Sequence, residues 1–312
     1  MAYTVFLTIL TMLLYAVPGF LLVKTKMVKT QAVSAFSVVL MYVLQPCLTI
    51  HSFQKITFTP TLAVNMLICF SIALIAMGTF LGLLFFLLRK KQEDVTYRVA
   101  TVASVFGNAS FIGIPILEAV VPECTEAAAY SIVFFLAMSA LGWTVASAVI
   151  TRDKKYISVK KILFNPATLS LIVAVLLGLI DVFWAWKIPE PFAGMFEILA
   201  GMSTPLCMII MGFRLATADV KKLFLTWQHY AVIGIKQVVF PLVVFAVLLL
   251  LPIDVNLKIC IFVMSCCPVA AVVQSYAEMI GEGQESAADM VLLSSVSCIL
   301  TIPLLTLLLP LL

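Results

Sequence analysis

The sequence predicts an all-α polytopic membrane protein, on three observations. The first is composition: of 312 residues, 63% are hydrophobic and 11% charged, with a mean hydropathy of +1.18. Soluble domains carry roughly 25% charged residues, so a water-soluble globule is excluded. The second is spacing. Ten apolar stretches are separated by short charged or turn-rich loops, and a helix needs about 20 apolar residues to cross the hydrocarbon core. The third is a one-sided distribution of basic residues among those loops. Disorder, collagen and nucleic-acid binding are excluded too, since each needs polar, Gly-Pro-periodic or basic composition, and the net charge of +4 is scattered.

The ten stretches run over 4–23, 31–50, 61–88, 97–121, 127–150, 166–184, 192–213, 229–251, 257–280 and 287–310. The first has no basic residue ahead of it and is followed by Lys24, Lys26 and Lys29, which suits a transmembrane helix rather than a signal peptide. The third loop carries Arg89, Lys90, Lys91 and Arg98. The fifth carries Arg152, Lys154, Lys155, Lys160 and Lys161, and the seventh Arg214, Lys221 and Lys222. Even-numbered loops hold only Lys55, Lys187 and Lys258, while Lys236 falls inside the eighth stretch. The positive-inside rule then places the odd loops in the cytoplasm and both termini outside a cell (inner or plasma) membrane. Trp143, Trp184, Trp186 and Trp227 fall near stretch ends, as an aromatic belt requires.

Prolines reveal an internal symmetry. Pro46 and Pro205 lie 159 residues apart, and Pro115 and Pro268 lie 153 apart. They occupy the second and fourth stretches of two halves, 1–156 and 157–312. Five crossings per half is odd, so the second half would run inverted, the pattern of secondary transporters.

Stretch four carries the strongest local signal: Gly107, Asn108, Ser110, Gly113 and Pro115 within nine positions. Proline removes a backbone donor and glycine weakens a helix, so this segment is expected to break at mid-depth. A break exposes amide hydrogens at a half-helix N-terminus, which attract anions. The plainer alternative is a proline kink with Asn108 bonded to a neighbouring helix. In stretch nine, Ser265-Cys266-Cys267 precede Pro268 and Val269, with Gln274 beyond. Gln274 either faces the same cavity or makes an interhelical hydrogen bond. The eight cysteines form no Cys-x-x-Cys pair, so neither a disulfide framework nor a zinc site is expected.

The run Phe106-Gly107-Asn108-Ala109-Ser110-Phe111-Ile112-Gly113-Ile114-Pro115 resembles the fourth-helix signature of the auxin efflux carrier family. The resemblance extends to Tyr42-Val43-Leu44-Gln45-Pro46, Asn165-Pro166, Thr204-Pro205-Leu206, Met211-Gly212-Phe213-Arg214-Leu215-Ala216 and Pro268 to Gly281. It implies ten transmembrane helices in two inverted five-helix repeats, with helices 4 and 9 broken and crossing, an architecture like that of bile-acid symporters and antiporters. It further implies a scaffold of helices 1, 2, 6 and 7 and a transport bundle of helices 3–5 and 8–10. Family substrates are small organic anions such as malate, malonate or indole-3-acetate. The short link between the halves resembles that of bacterial members.

Under this reading the substrate meets Gly107, Asn108, Ser110, Gly113 and Pro115 from one half and Pro268, Val269 and Gln274 from the other. Gln45 and Thr204 complete the opposite wall. By resemblance, Lys236 and Glu118 form a polar support behind the crossover, standing in for sodium or carrying a coupled proton. A snorkelling lysine and an interfacial glutamate are the alternatives. Arg214 reads as a cytoplasmic anchor. The partners expected are an organic anion, the lipid bilayer and a second copy in a homodimer, with no nucleic acid and no cofactor. A membrane enzyme, a channel and a receptor are the competing classes. Only His51 and His229 could serve as catalytic histidines, and neither has an acidic pair near it in sequence; a nucleotide-driven pump lacks its phosphate loop.

Overall fold

The computed structural model describes residues 1–29, 32–153, 155, 157 and 159–312. The expected start of the second helix at Gln31, the loop residue Lys154 and the boundary at Tyr156 lie outside the described residues. Among the described residues no strand forms. Eight helices there are long and apolar enough to cross a membrane: Ala2–Lys24, Val33–Gln54, Pro60–Leu87, Ala127–Thr151, Pro166–Trp184, Glu190–Thr217, Trp227–Leu250 and Gln284–Leu311. Two interrupted segments lie between them. Val95–Ala103 is followed by Ala109–Val120, and Val255–Cys266 by Val272–Ile280. They coincide with the fourth and ninth expected stretches.

Local chemistry sets many of the boundaries. Thr59, Asp94, Asn165 and Asp254 each accept a hydrogen bond from a backbone amide of the first turn that follows, which satisfies donors that a helix start leaves open. Prolines account for irregularity further in. Pro46, Pro115 and Pro241 have no N–H to give, and the ladder ahead of each widens into a π turn at Leu40–Leu44, Ala109–Gly113 and Ile235–Val239. Between the last two helical segments the chain turns at Gly281 and Gly283, with φ of 74° and 72°, a conformation glycine adopts without strain.

Packing follows the small residues and the apolar faces. Helix Ala2–Lys24 approaches Ser203–Thr217 so closely that a side chain at Gly19 would overlap the backbone of Ile209, and one at Gly212 the backbone of Ala16. Small residues allow such contact in lipid. Gln45–Gln54 lies against Pro166–Trp184 and Glu190–Gly201, and Pro60–Leu87 lies against Ala127–Leu141. Val255–Cys266 packs on Ala127–Leu141 from another side. Large apolar side chains such as Leu67, Phe86, Leu176, Phe183, Leu250 and Leu304 are exposed on the outer faces, as lipid contact demands.

Two expectations are corrected at this level. Helix Glu190–Thr217 runs past the end expected at 213, so Arg214 lies inside it rather than in a loop. Trp143 does not belong to an outer belt. Its ring stands edge-on to the buried Tyr276, with centroids 5.3 Å apart, and it faces an internal cavity. Trp184, Trp186 and Trp227 are exposed, as expected.

Candidate functional site: a cavity at the crossing of two broken helices

The two interruptions meet. At the crossing the backbone amide of Asn108 donates to the Pro268 carbonyl at 2.8 Å, and that of Ala270 donates to the Phe106 carbonyl at 3.0 Å. Gly107 and Val269 thereby form an isolated antiparallel bridge. The Val269 amide donates to Ser294 Oγ at 3.0 Å. The amides of Asn108, Val269 and Ala270 are thus paired rather than bare, which corrects the expectation of exposed donors at these three positions. The physical reason is that an unpaired amide away from water costs several kcal/mol in an apolar setting, and two short non-helical segments lying antiparallel satisfy each other. The close approach leaves little room for a larger residue than glycine. A Cβ on Gly107 would stand 3.1 Å from Lys236 Nζ and 3.2 Å from the Cys267 carbonyl, and one on Gly113 would stand 3.3 Å from Cys267 Sγ.

Beside the crossing lies a cavity of about 600 Å³, within the size range of small-molecule sites. Its walls come from several helices. Gln45 enters from Val33–Gln54, Asn108 from the first break, Trp143 from Ala127–Thr151, and Cys207 and Arg214 from Glu190–Thr217. Ala270, Ala271 and Val272 present the start of helix Val272–Ile280 to the same space, so the positive end of that helix opens onto it. Most of the remaining surface is apolar, with Leu40, Met41, Phe111, Met208 and Met211 among the lining residues.

Among the polar residues lining this cavity, Ser37, Asn165 and Ser295 are hydrogen-bonded within the protein, whereas three others are poorly matched. Gln45 is 3% exposed, yet among the described residues neither its amide nitrogen nor its amide oxygen has a hydrogen-bond partner. Asn108 reaches only the sulfur of Cys207, 3.8 Å from its Nδ2. Arg214 donates from Nη1 to Gln274 Oε1, while its buried Nε has no partner. Buried polar groups are almost always hydrogen-bonded, and the carboxamide of Gln45 and the Nε of Arg214 depart from that rule.

The expected site residues separate into three groups. Gln45 and Asn108 line the cavity. Gly107, Pro268 and Val269 build the crossing, and Gly113 and Pro115 shape the turn beside it. Thr204, Gln274 and Ser110 do not line the cavity. Thr204 Oγ1 donates to the Phe111 carbonyl at 2.8 Å and ties two helices together. Gln274 holds Arg214 and donates to Glu278 at 3.2 Å. Ser110 is buried with its hydroxyl unpartnered.

Lys236 and Glu118, expected by resemblance to form a polar support behind the crossover, make no ion pair among the described residues. Lys236 is 1% exposed behind the crossing, donating to the Ser265 carbonyl at 2.6 Å with its ammonium 5.0 Å from the centre of the Phe240 ring. Glu118 is exposed. It follows the π turn that precedes Pro115, and at its place in Ile114–Val120 the side chain points out of the protein rather than toward the interior.

Arg214 and Trp143 were missed as cavity residues. Cys207, Met211 and Arg214 share one helical face, but only because the helix runs on to Thr217, which the apolar stretch ending at 213 does not indicate. A family model for a membrane transport protein, that of the auxin efflux carriers, matches residues 4–306. No curated protein matches the chain.

Proposed function

We propose, because the chain belongs to the auxin efflux carrier family of membrane transport proteins, that it carries a small organic anion across the bilayer by alternating access at the crossing cavity. The observation that carries the reading is the pairing of two interrupted helices around Gly107 and Val269, beside a 600 Å³ cavity with unmatched polar groups. Irregular backbone at membrane depth is tolerated where protein buries it or a cavity adjoins it, and secondary transporters place their substrates at such discontinuous helices.

On this reading each interrupted segment counts as one crossing, giving ten transmembrane helices in two inverted halves. The loop charges orient both termini outside the plasma membrane. Helices 1, 2, 6 and 7 form the scaffold, a grouping in keeping with the tight contact at Gly19 and Gly212 and the packing of Gln45–Gln54. The remaining six move against it. An anion entering the cavity is drawn by the positive start of helix Val272–Ile280, and the carboxamides of Asn108 and Gln45 bond its polar atoms. Movement of one bundle against the other then exposes the occupied cavity to alternate sides. The chemistry is binding and release, with no bond made or broken.

The test is uptake of labelled malate, malonate and indole-3-acetate into proteoliposomes holding the purified protein. Saturable uptake of at least one, competed by its unlabelled form, is the expected result. Liposomes that accumulate none beyond protein-free controls would overturn the reading.

A further inference from the structure

Arg214 carries a consequence that the crossing does not. It lies seven residues beyond Cys207 on one helix, two turns or roughly 10 Å along the axis, and Cys207 is the residue that Asn108 touches. Both ends of this line face the cavity, with Met208 and Met211 between them. Among the described residues Arg214 forms no ion pair. Its Nη1 donates to the neutral oxygen of Gln274, and its Nε, buried, donates to nothing. A guanidinium offers five donors in a planar fork shaped for a carboxylate; this one is half-buried, and the carboxylate of Glu278 stands beyond the Gln274 carboxamide rather than on the fork itself. The oxygen of Gln274 therefore lies where a carboxylate oxygen would be held more strongly. Gln274 is also the third residue of helix Val272–Ile280, so an anion there gains from the helix start as well.

We propose that Arg214 is the carboxylate-binding residue of this cavity and that the carboxamide of Gln274 holds its place in the empty protein. This rests on the transport reading above and deepens it. The substrate is a short organic acid whose carboxylate sits on Arg214 and whose second polar group, across an apolar stretch, meets Asn108 and Gln45. An arriving carboxylate displaces Gln274, which retains Glu278 as a partner on its own helix. Binding thus cuts the bond between Ser203–Thr217 and Val272–Ile280 and makes anion entry a condition for their relative movement.

The experiment measures the stabilisation of detergent-solubilised full-length protein by malate, malonate and butyrate, alongside uptake in liposomes. For Arg214→Gln, apparent affinity for the dicarboxylates falls roughly 10- to 100-fold, the loss expected for charged hydrogen bonds. Gln274→Ala, which removes the internal competitor, binds them more tightly than wild type. Gln274→Glu supplies a permanent carboxylate to Arg214 and weakens binding at least about tenfold; butyrate, with one polar end, binds more weakly than malate throughout. If Arg214→Gln does not fold, the opposite signs of the two Gln274 variants decide. Wild-type affinity in Gln274→Glu or in a folded Arg214→Gln overturns the inference while leaving the transport reading intact. A wild-type protein that neither binds nor moves any of the three acids overturns both.

Discussion

The two sides of the helix crossing differ in how fully their polar groups are matched. Behind it, Lys236 donates to the Ser265 carbonyl, Gln237 Nε2 donates to the Ser294 carbonyl at 2.7 Å, and Ser297 donates to Gln237 Oε1 at 2.6 Å. Ser294 in turn accepts the Val269 amide of the crossing itself. In front of it, among the described residues, Gln45 has no partner, Asn108 touches only sulfur, and the Arg214 Nε is orphaned. The residue types are alike on both sides. A completed network rigidifies and holds the broken backbone in register; an incomplete one stores binding capacity at some cost in stability. The same substitution strategy should therefore have opposite effects on the two sides.

The largest effect is expected behind the crossing. Lys236→Met leaves the Ser265 carbonyl without its donor in a buried setting, a loss of about 1–3 kcal/mol for the orphaned group. Thermal unfolding at lower temperature, with uptake abolished, is the outcome to look for. Unchanged stability would mean that Lys236 is dispensable to the crossing.

In front, the sign reverses for stability while transport falls. Gln45→Leu removes two unpartnered polar atoms from a buried position and keeps most of the volume. Stability is expected to stay level or rise by about 1–3 kcal/mol, while substrate uptake drops roughly tenfold or more. A destabilised variant with normal uptake would assign Gln45 to the framework and erase the contrast. Asn108→Ala is the milder probe, because only the side-chain contact to Cys207 is removed and the backbone amide still pairs with Pro268. Stability within about 0.5 kcal/mol of wild type is expected, as for groups without a strong partner, together with slower uptake measured in the same liposomes. Uptake at the wild-type rate would remove Asn108 from the substrate's path.

How much of this was legible in the sequence follows the same division. The breaks could be read, because Gly107, Pro115 and Pro268 act through backbone chemistry that any context preserves. The pairing of the freed amides could not, since it depends on where two segments 160 residues apart meet. Gln45 was legible as a polar residue ahead of a proline in an apolar stretch. Arg214 was not. A cation at the edge of an apolar run looks like a loop anchor, and only the continuation of the helix to Thr217 turns it inward. Trp143 was misread for the same reason: hydropathy marks the ends of a span but not which face looks at lipid. Glu118 had two readings in the sequence, and its exposure agrees with the interfacial one.

The smallest effect is expected far from the crossing, at the pair of Glu93 and Arg152, whose nearest contact is 2.5 Å on an exposed face. The Arg152 guanidinium holds the Glu93 carboxyl below its ordinary range, first through the hydrogen bond and then through its charge. A carboxyl whose titration is depressed in the folded protein lends stability above its unfolded value, and that contribution fades as pH falls through the folded one. Exposed pairs are weak because water and salt screen them. Glu93→Gln should therefore transport at the wild-type rate and, at neutral pH, unfold close to wild type. Any gap in stability should narrow as the medium is acidified into the carboxylate range and as salt is added, because Glu93 then loses its charge or its partner. A gap that widens on acidification, or a transport defect in Glu93→Gln, would show that the loops joined by this pair take part in the moving machinery and that the division between a matched framework and an unmatched cavity does not capture what matters in this protein.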